Sequence, residues 1–338
     1  MSAQLAINGF GRIGRSVLRA IVERDLWHHL AVVSINELAP IETICHLLKY
    51  DSTHGRFPGS VTIEDSRLVV NGHAIDITHE AEFSALQIDC DVLIECSGSV
   101  SAEVARRQIG GRLKHILISN PSQPDVDCTL IYGFNQNQVT PSDGVISCGS
   151  CTSNALIPLV AALDAQFGVV AGSSLTLHSA MNDQPVIDAY HDVDLRLTRS
   201  AMQSMIPVET ALDKGVYRLL PHLEGRLNSS SIRVPTSNVS AIELTVQTEH
   251  ALDRSAFTQC LQRLADDNQY VTNTTEPLAS CDFIHDDQSA VIDMPQSAVV
   301  NDHLVKVLIW FDNEWGYANR LVDSALHLQQ MISLGELT

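Results

Sequence analysis

Apolar residues fall into two textures along the chain. Between residues 3 and 150, short runs rich in Val, Ile and Leu (residues 5–8, 31–36, 91–96, 115–119 and 129–134) alternate with stretches of helical spacing. Near-continuous apolar runs suit strands buried on both faces, and their alternation with helices is the rhythm of a doubly wound parallel sheet. Residues 60–64 and 67–70 carry a hairpin pattern inserted into that series. At Cys151 the texture changes. An apolar helix is expected there, followed by strands near residues 173–178, 231–234 and 241–247 that suit a mixed, largely antiparallel sheet. Residues 181–220 show no clean period and include Pro185 and Pro207; loops that long inside a domain usually serve function. Residues 315–334 predict a closing helix, with Leu321, Ala325, Leu326 and Leu328 forming a face that packs back onto the first domain. The α/β chain is thus expected to divide into a sheet domain of residues 1–150 plus 315–338 and an α+β domain of residues 151–314.

Composition narrows the possibilities. The 338 residues leave room for two domains with sizeable cores. Twenty-one Lys and Arg against 40 Asp and Glu give a formal charge of −19, which opposes binding to nucleic acid or anionic lipid. No apolar run reaches the roughly 18 residues of a membrane span, and the N-terminus passes directly into a glycine turn instead of a cleavage site. A cytoplasmic location is expected. Eight scattered cysteines suit a reducing compartment. Cys148 and Cys151 have CxxC spacing, but no second ligand pair matches it, so no metal site is expected.

Three features carry chemistry. Gly9-Phe10-Gly11-Arg12-Ile13-Gly14 follows the first strand and opens a helix, where backbone amides can meet a pyrophosphate. Glu37 ends the second strand, placed to accept from a ribose diol and to repel a 2′-phosphate, which favours NAD over NADP. Cys151 stands just before the apolar helix, where the helix N-terminus stabilises a thiolate, and His178 closes a strand from which it could return to the sulfur as a base. Among eight cysteines and fourteen histidines, spacing alone does not single out this pair.

The segments Ile7-Asn8-Gly9-Phe10-Gly11-Arg12-Ile13-Gly14-Arg15, Ser150-Cys151-Thr152-Ser153-Asn154, Arg233-Val234-Pro235-Thr236 and Asp312-Asn313-Glu314-Trp315-Gly316-Tyr317 resemble the glyceraldehyde-3-phosphate dehydrogenase superfamily, essentially end to end. The resemblance implies a Rossmann domain followed by a catalytic domain, a homotetramer, and oxidation of a phosphorylated aldose. It implies Cys151 as nucleophile and His178 as base. NAD would be held by Gly9, Gly11, Arg12, Ile13, Gly14 and Glu37, with Ser97, Ser119, Asn313 and Tyr317. Substrate phosphate would fall to Ser150, Thr152, Thr210 and Arg233, with Arg199 and Ala211 nearby. Residues 178–191, 206–210 and 282–286 look most like the branch that oxidises erythrose 4-phosphate. Met181 stands where phosphorylating relatives have a threonine hydroxyl, and Glu209 adds an anion. Leu197 takes the place of an arginine common in both branches, between Arg196 and Arg199. Phosphorylating activity and a non-catalytic dinucleotide-binding role are the alternatives. Cys148 has no inherited role; it is either a space-filling thiol or a partner that resolves oxidised Cys151.

Overall fold

A computed structural model describes residues 2–121 and 125–335. The chain forms two compact units, Met1–Ser150 with Tyr317–Thr338, and Cys151–Gly316. Residues 336–338, the end of the segment assigned above to the first domain, lie outside the described residues.

The first unit holds a nine-stranded sheet in the order Cys128–Thr129, Val145–Ser147, His115–Ile118, Val92–Glu95, Ala3–Asn8, Leu30–Asn36, His73–Thr78, Arg67–Val70, Val61–Glu64. The first seven run parallel, and the last two turn back antiparallel. Leu5, Ile7, Ile35, Leu93, Ile94, Ile116 and Leu117 are buried in its centre, as parallel strands covered on both faces require. Because the chain leaves Ala3–Asn8 toward Leu30–Asn36 on one side and later fills Val92–Glu95 on the other, the sheet has a topological switch point beside its first strand. Ligands of open α/β sheets bind at such points, outside the carboxyl ends of the strands.

The inserted hairpin pairs Val61–Glu64 with Arg67–Val70 through Asp65 and Ser66, both at positive φ. A second tight turn, Asn71-Gly72 (φ 49° and 83°), then launches His73–Thr78, a strand absent from the expected set. The Asn-Gly pair was its signal. The run at 129–134 contributes only Thr129 to the sheet, within Cys128–Thr129. Beyond it Asn135 closes a local loop, accepting from Ile131 N–H at 2.8 Å and donating to the Thr129 carbonyl at 2.8 Å.

The second unit is a seven-stranded mixed sheet: Ile206–Val208, Leu227–Arg233, Val169–His178, Ser240–Thr248, Leu304–Phe311, Ala290–Asn301, Val271–Thr274. Two of its pairings are parallel, and one of these sets His178 beside Arg233. The helices Cys151–Phe167 and Arg254–Asp267 accompany it, the former buried along Ala155–Val160, Leu163 and Phe167. The expected long loop is only partly irregular, since it contains Ile206–Val208 and the helix Leu212–Leu219. Gly215 lies within that helix, where a Cβ would sit 3.2 Å from Ser153 Oγ. The last helix, Trp315–Ser333, buries Leu321, Ala325 and Leu328; Leu326 is only half-buried.

One buried group ties the first unit to pH. His115 is 0% exposed, donates through Nδ1 to the Asp143 carbonyl at 2.8 Å, and leaves Nε2 without a partner. Burial therefore holds its pKa below the ordinary histidine value. The unfolded chain then binds the proton first, so the stability this residue contributes is present above the unfolded pKa of about 6.5 and is lost as pH falls toward the folded value. Thermal unfolding should show a larger loss of Tm between about pH 7 and pH 5.5 in the wild type than in His115→Asn, which keeps a donor but does not titrate. Equal losses would show that His115 is not the titrating group.

Candidate active site

In the first unit the glycine turn and the loop after Val92–Glu95 meet at the switch point. Gly9 has φ +83°, and a Cβ on it would lie 2.6 Å from Ser97 N, so only glycine fits. A Cβ on Gly14 would lie 2.3 Å from the Gly9 carbonyl, which permits the helix Arg12–Glu23 to start against the turn. Gly11 differs. It stands at the N-cap with no side-chain cap, and a Cβ there would meet nothing within 4 Å. Open space before uncapped helix amides is what a pyrophosphate requires. Arg12 is ion-paired to Asp51, Ile13 is half-buried, and Tyr317 donates to the Gly149 carbonyl at 2.8 Å.

Glu37 accepts from the Phe10 amide at 2.8 Å, so the acid and the glycine turn are held together. A buried line of polar side chains lies along the strand ends: Glu95 accepts from Asn8, Asn8 from Asn36 at 2.7 Å, and Asn36 from Thr78 at 2.9 Å. Glu95 also takes the Ser97 amide at 2.6 Å, while burial raises its pKa. Ser97 is exposed, and Ser119 bonds to the Cys96 thiol. Sequence reasoning passed over Asn36 and Glu95, although both are polar residues closing apolar strands.

In the second unit, Cys151 is the first residue of Cys151–Phe167, and its Sγ lies 3.7 Å from His178 Nε2. His178 Nδ1 lies 2.8 Å from the Ser179 carbonyl, which can only accept. Nδ1 therefore carries the hydrogen and Nε2 presents a lone pair to the sulfur. The protonation of this pair differs from the low-pKa thiolate expected of a helix N-terminus. Burial pushes the Cys151 thiol up to about 12, with Asp312 and Glu314 adding to it, although the Cys151 and Thr152 amides favour the anion. Burial likewise lowers the pKa of His178, assisted by Arg233 and opposed by the Ser179 carbonyl, Asp183 and Glu314. Burial thus favours the uncharged form of both groups, a thiol facing a neutral imidazole.

Asp312 is 1% exposed and fully used: Oδ1 accepts from Glu314 N–H and Trp315 N–H at 2.9 and 2.8 Å, Oδ2 from Asn238 Nδ2 and His285 N–H at 2.8 Å each. This turn fixes Asn313, whose Oδ1 accepts from Ser179 at 3.0 Å and Ser240 at 2.9 Å.

The residues expected to hold phosphate are not equally placed. Arg233 stands next to His178 in the sheet and is 12% exposed, but its Nη1 donates to Asp183 at 2.6 Å. Asp183 is a residue that sequence reasoning did not weigh. Arg199 is ion-paired to Asp188 on an exposed stretch, and among the described residues no hydrogen bond or ion pair joins it to Cys151 or His178. Leu197 is buried, so the missing arginine is replaced by packing. Thr210 Oγ accepts from Leu212 N–H at 3.3 Å, and Ala211 is the N-cap of Leu212–Leu219. Ser150 and Thr152 flank Cys151, both half-buried. Met181 and Glu209 are exposed. Cys148, in the first unit, is buried and bonds to Ser324, with its thiol pushed up to about 12 by burial. Cys148 is 2% exposed where Cys151 is only partly buried, and that enclosure suits a space-filling thiol. Among the described residues no group of His, Cys, Asp and Glu could hold a metal ion.

A neutral thiol and imidazole have a kinetic signature. Alkylation of Cys151 by iodoacetamide should keep rising from about pH 6 to pH 9, and His178→Asn should slow it by ~10²-fold at neutral pH. A plateau already present near pH 6 would instead indicate a preformed thiolate–imidazolium pair.

Residues 3–103 match the NAD binding domain of glyceraldehyde 3-phosphate dehydrogenase, and residues 150–313 match the C-terminal domain of the same family. Together they take in well over half of the chain. NAD fits the open turn at Gly11 and the acid at Glu37, and no helix is long and apolar enough to cross a membrane among the described residues. The chain belongs to the glyceraldehyde 3-phosphate dehydrogenase family, and it is an NAD-dependent aldehyde dehydrogenase.

Proposed function

We propose that the protein oxidises D-erythrose 4-phosphate to 4-phosphoerythronate, a step of pyridoxal phosphate synthesis, through a thioester on Cys151 that water hydrolyses. The observation that carries the chemistry is the Sγ to Nε2 approach of 3.7 Å, with the His178 tautomer set by the Ser179 carbonyl. His178 Nε2 takes the thiol proton as sulfur bonds to the aldehyde carbon, and returns it to the carbonyl oxygen to complete the hemithioacetal. The Cys151 and Thr152 amides, which face the sulfur, are suited to stabilise that oxygen while it is charged. His178 then removes the hydroxyl proton as hydride leaves carbon, which yields the thioester. The glycine turn and Glu37, with Ser97, Ser119 and Tyr317, would hold NAD, with Asn313 near its nicotinamide, and the cofactor would supply the hydride acceptor when bound. After releasing that proton to solvent, His178 activates water by the same lone pair and reprotonates the departing sulfur.

Arg233 has donors beyond the one given to Asp183, and with the hydroxyls of Ser150, Thr152 and Thr210 it would hold the substrate phosphate. Such positional binding makes the attack effectively unimolecular. The choice of erythrose 4-phosphate and of water as acceptor rests on the motif likeness of residues 178–191 and 206–210. Exposed Met181 and Glu209 support it, since they offer a free phosphate ion no hydroxyl and an added negative charge. A homotetramer is part of the same reading. It is supported by the run of exposed apolar side chains Val186, Ile187, Tyr190, Val193, Leu195 and Met205, which invites burial against another copy. We place the enzyme in the cytoplasm, a compartment that suits eight free thiols.

Steady-state comparison tests the reading. kcat/KM for erythrose 4-phosphate should exceed that for glyceraldehyde 3-phosphate by about tenfold or more, a difference of ~1.4 kcal/mol in transition-state binding, with the rate independent of added inorganic phosphate. A rate that needs phosphate and yields an acyl phosphate would make the protein a phosphorylating enzyme.

A further inference from the structure

The hydroxyls on Asn313 determine which way its amide faces. Ser179 is 0% exposed and Ser240 is 1% exposed, and both place Oγ within hydrogen-bond distance of Asn313 Oδ1, at 3.0 and 2.9 Å. The Ser179 amide also donates to Ser240 Oγ, at 3.2 Å. Ser240 Oγ, having accepted there, gives its own hydrogen to Asn313 Oδ1, and the Ser179 hydroxyl gives its hydrogen to the same oxygen. Nδ2 is thereby turned away from both serines. It has no partner among the described residues, and Asn313 is half-buried. The backbone on either side of Asn313 is held by the fully satisfied Asp312 turn, so the side chain has little freedom to compensate.

We infer that Ser179 and Ser240 are positioning residues which lock Asn313 so that it offers only N–H donors, making the site selective for the carbonyl oxygen of the nicotinamide carboxamide over its NH2 group. This rests on the proposed place of Asn313 beside the nicotinamide. An unconstrained asparagine could rotate its amide and meet either end of a carboxamide; a locked one meets only an acceptor. Ser179 serves two atoms at once, because its carbonyl fixes the His178 tautomer while its hydroxyl fixes the amide. The same residue thus orders the base and the group expected to orient the cofactor ring.

The test compares NAD with its 3-acetylpyridine analogue, which keeps the ring carbonyl and replaces NH2 by methyl. Dissociation constants are measured by calorimetry on the full chain, without turnover, for the wild type, Ser179→Ala, Ser240→Ala and the double variant. In the wild type the two ligands should bind within about threefold of each other, because the analogue retains the acceptor. With both hydroxyls removed, the amide can present its oxygen to the ligand. NAD can use both orientations and the analogue only the one that offers N–H, so the analogue's Kd should rise relative to that of NAD by about twofold when the freed amide divides its time equally between them. This ratio is read within one preparation and does not depend on how much of a variant is folded. An unchanged ratio in the double variant, with Asn313→Ala weakening NAD binding, would overturn the inference while leaving Asn313 at the cofactor. If Asn313→Ala leaves the Kd of NAD unchanged, its placement beside the nicotinamide is wrong and the inference falls with it.

Discussion

A single hydrogen bond, from His178 Nδ1 to the Ser179 carbonyl, is the constraint on which the site depends. A carbonyl accepts and cannot donate, so the bond commits the imidazole to one tautomer and aims the lone pair of Nε2 at Cys151 Sγ, 3.7 Å away. The sheet makes that bond possible. Val169–His178 ends between Leu227–Arg233 and Ser240–Thr248, and its register brings Arg233 alongside the imidazole while Ser240 stands across from the turn that follows. Burial favours the uncharged form of both groups, so in the proposed reaction the sulfur gains its nucleophilicity as its proton moves to Nε2.

Anion chemistry in a chain of net charge −19 requires local donors, and the structure concentrates them in few places. In the first unit they are backbone amides at an uncapped helix start, shaped by Gly9, Gly11 and Gly14 and braced by the polar line from Glu95 to Thr78. In the second unit the principal cation is Arg233, and Asp183 moderates it. A partly buried guanidinium with an acidic partner keeps its orientation, but part of its field is cancelled before any phosphate arrives. The same cancellation bears on His178, whose pKa Arg233 lowers and Asp183 raises.

Much of this was legible in the sequence, because it depended on periodicity and on local turn chemistry. The parallel strands read as apolar runs, the glycine turn as a strand-to-helix junction, and Cys151 as the residue opening an apolar helix. What the sequence did not yield was of a different kind. The strand His73–Thr78 was signalled by Asn71-Gly72 but lacked a strong apolar run; it pairs through residues 76–78 at the edge of the parallel region. The run at 129–134 had strand composition, yet Asn135 diverted its backbone bonds into a loop. Asp183, Ser179 and Ser240 were not found because their importance lies in what they touch across the sheet, 50, 134 and 73 residues away in sequence. The upward push of burial on the Cys151 thiol escaped for the same reason: a helix N-terminus is visible in sequence, whereas the desolvation that opposes it is a property of the packed site.

The central claim is that oxidation proceeds through an acyl group on Cys151, and the most direct measurement is to trap it. The enzyme is mixed with excess NAD and aldehyde, quenched in acid within the first turnover, and analysed by intact mass and peptide mapping. The account predicts a mass increase matching the phosphorylated acyl group, confined to the peptide that carries Cys151 and formed in step with a burst of NADH. NADH formed stoichiometrically, with no adduct on that peptide at any quench time and the acyl group found instead on another residue, would contradict it.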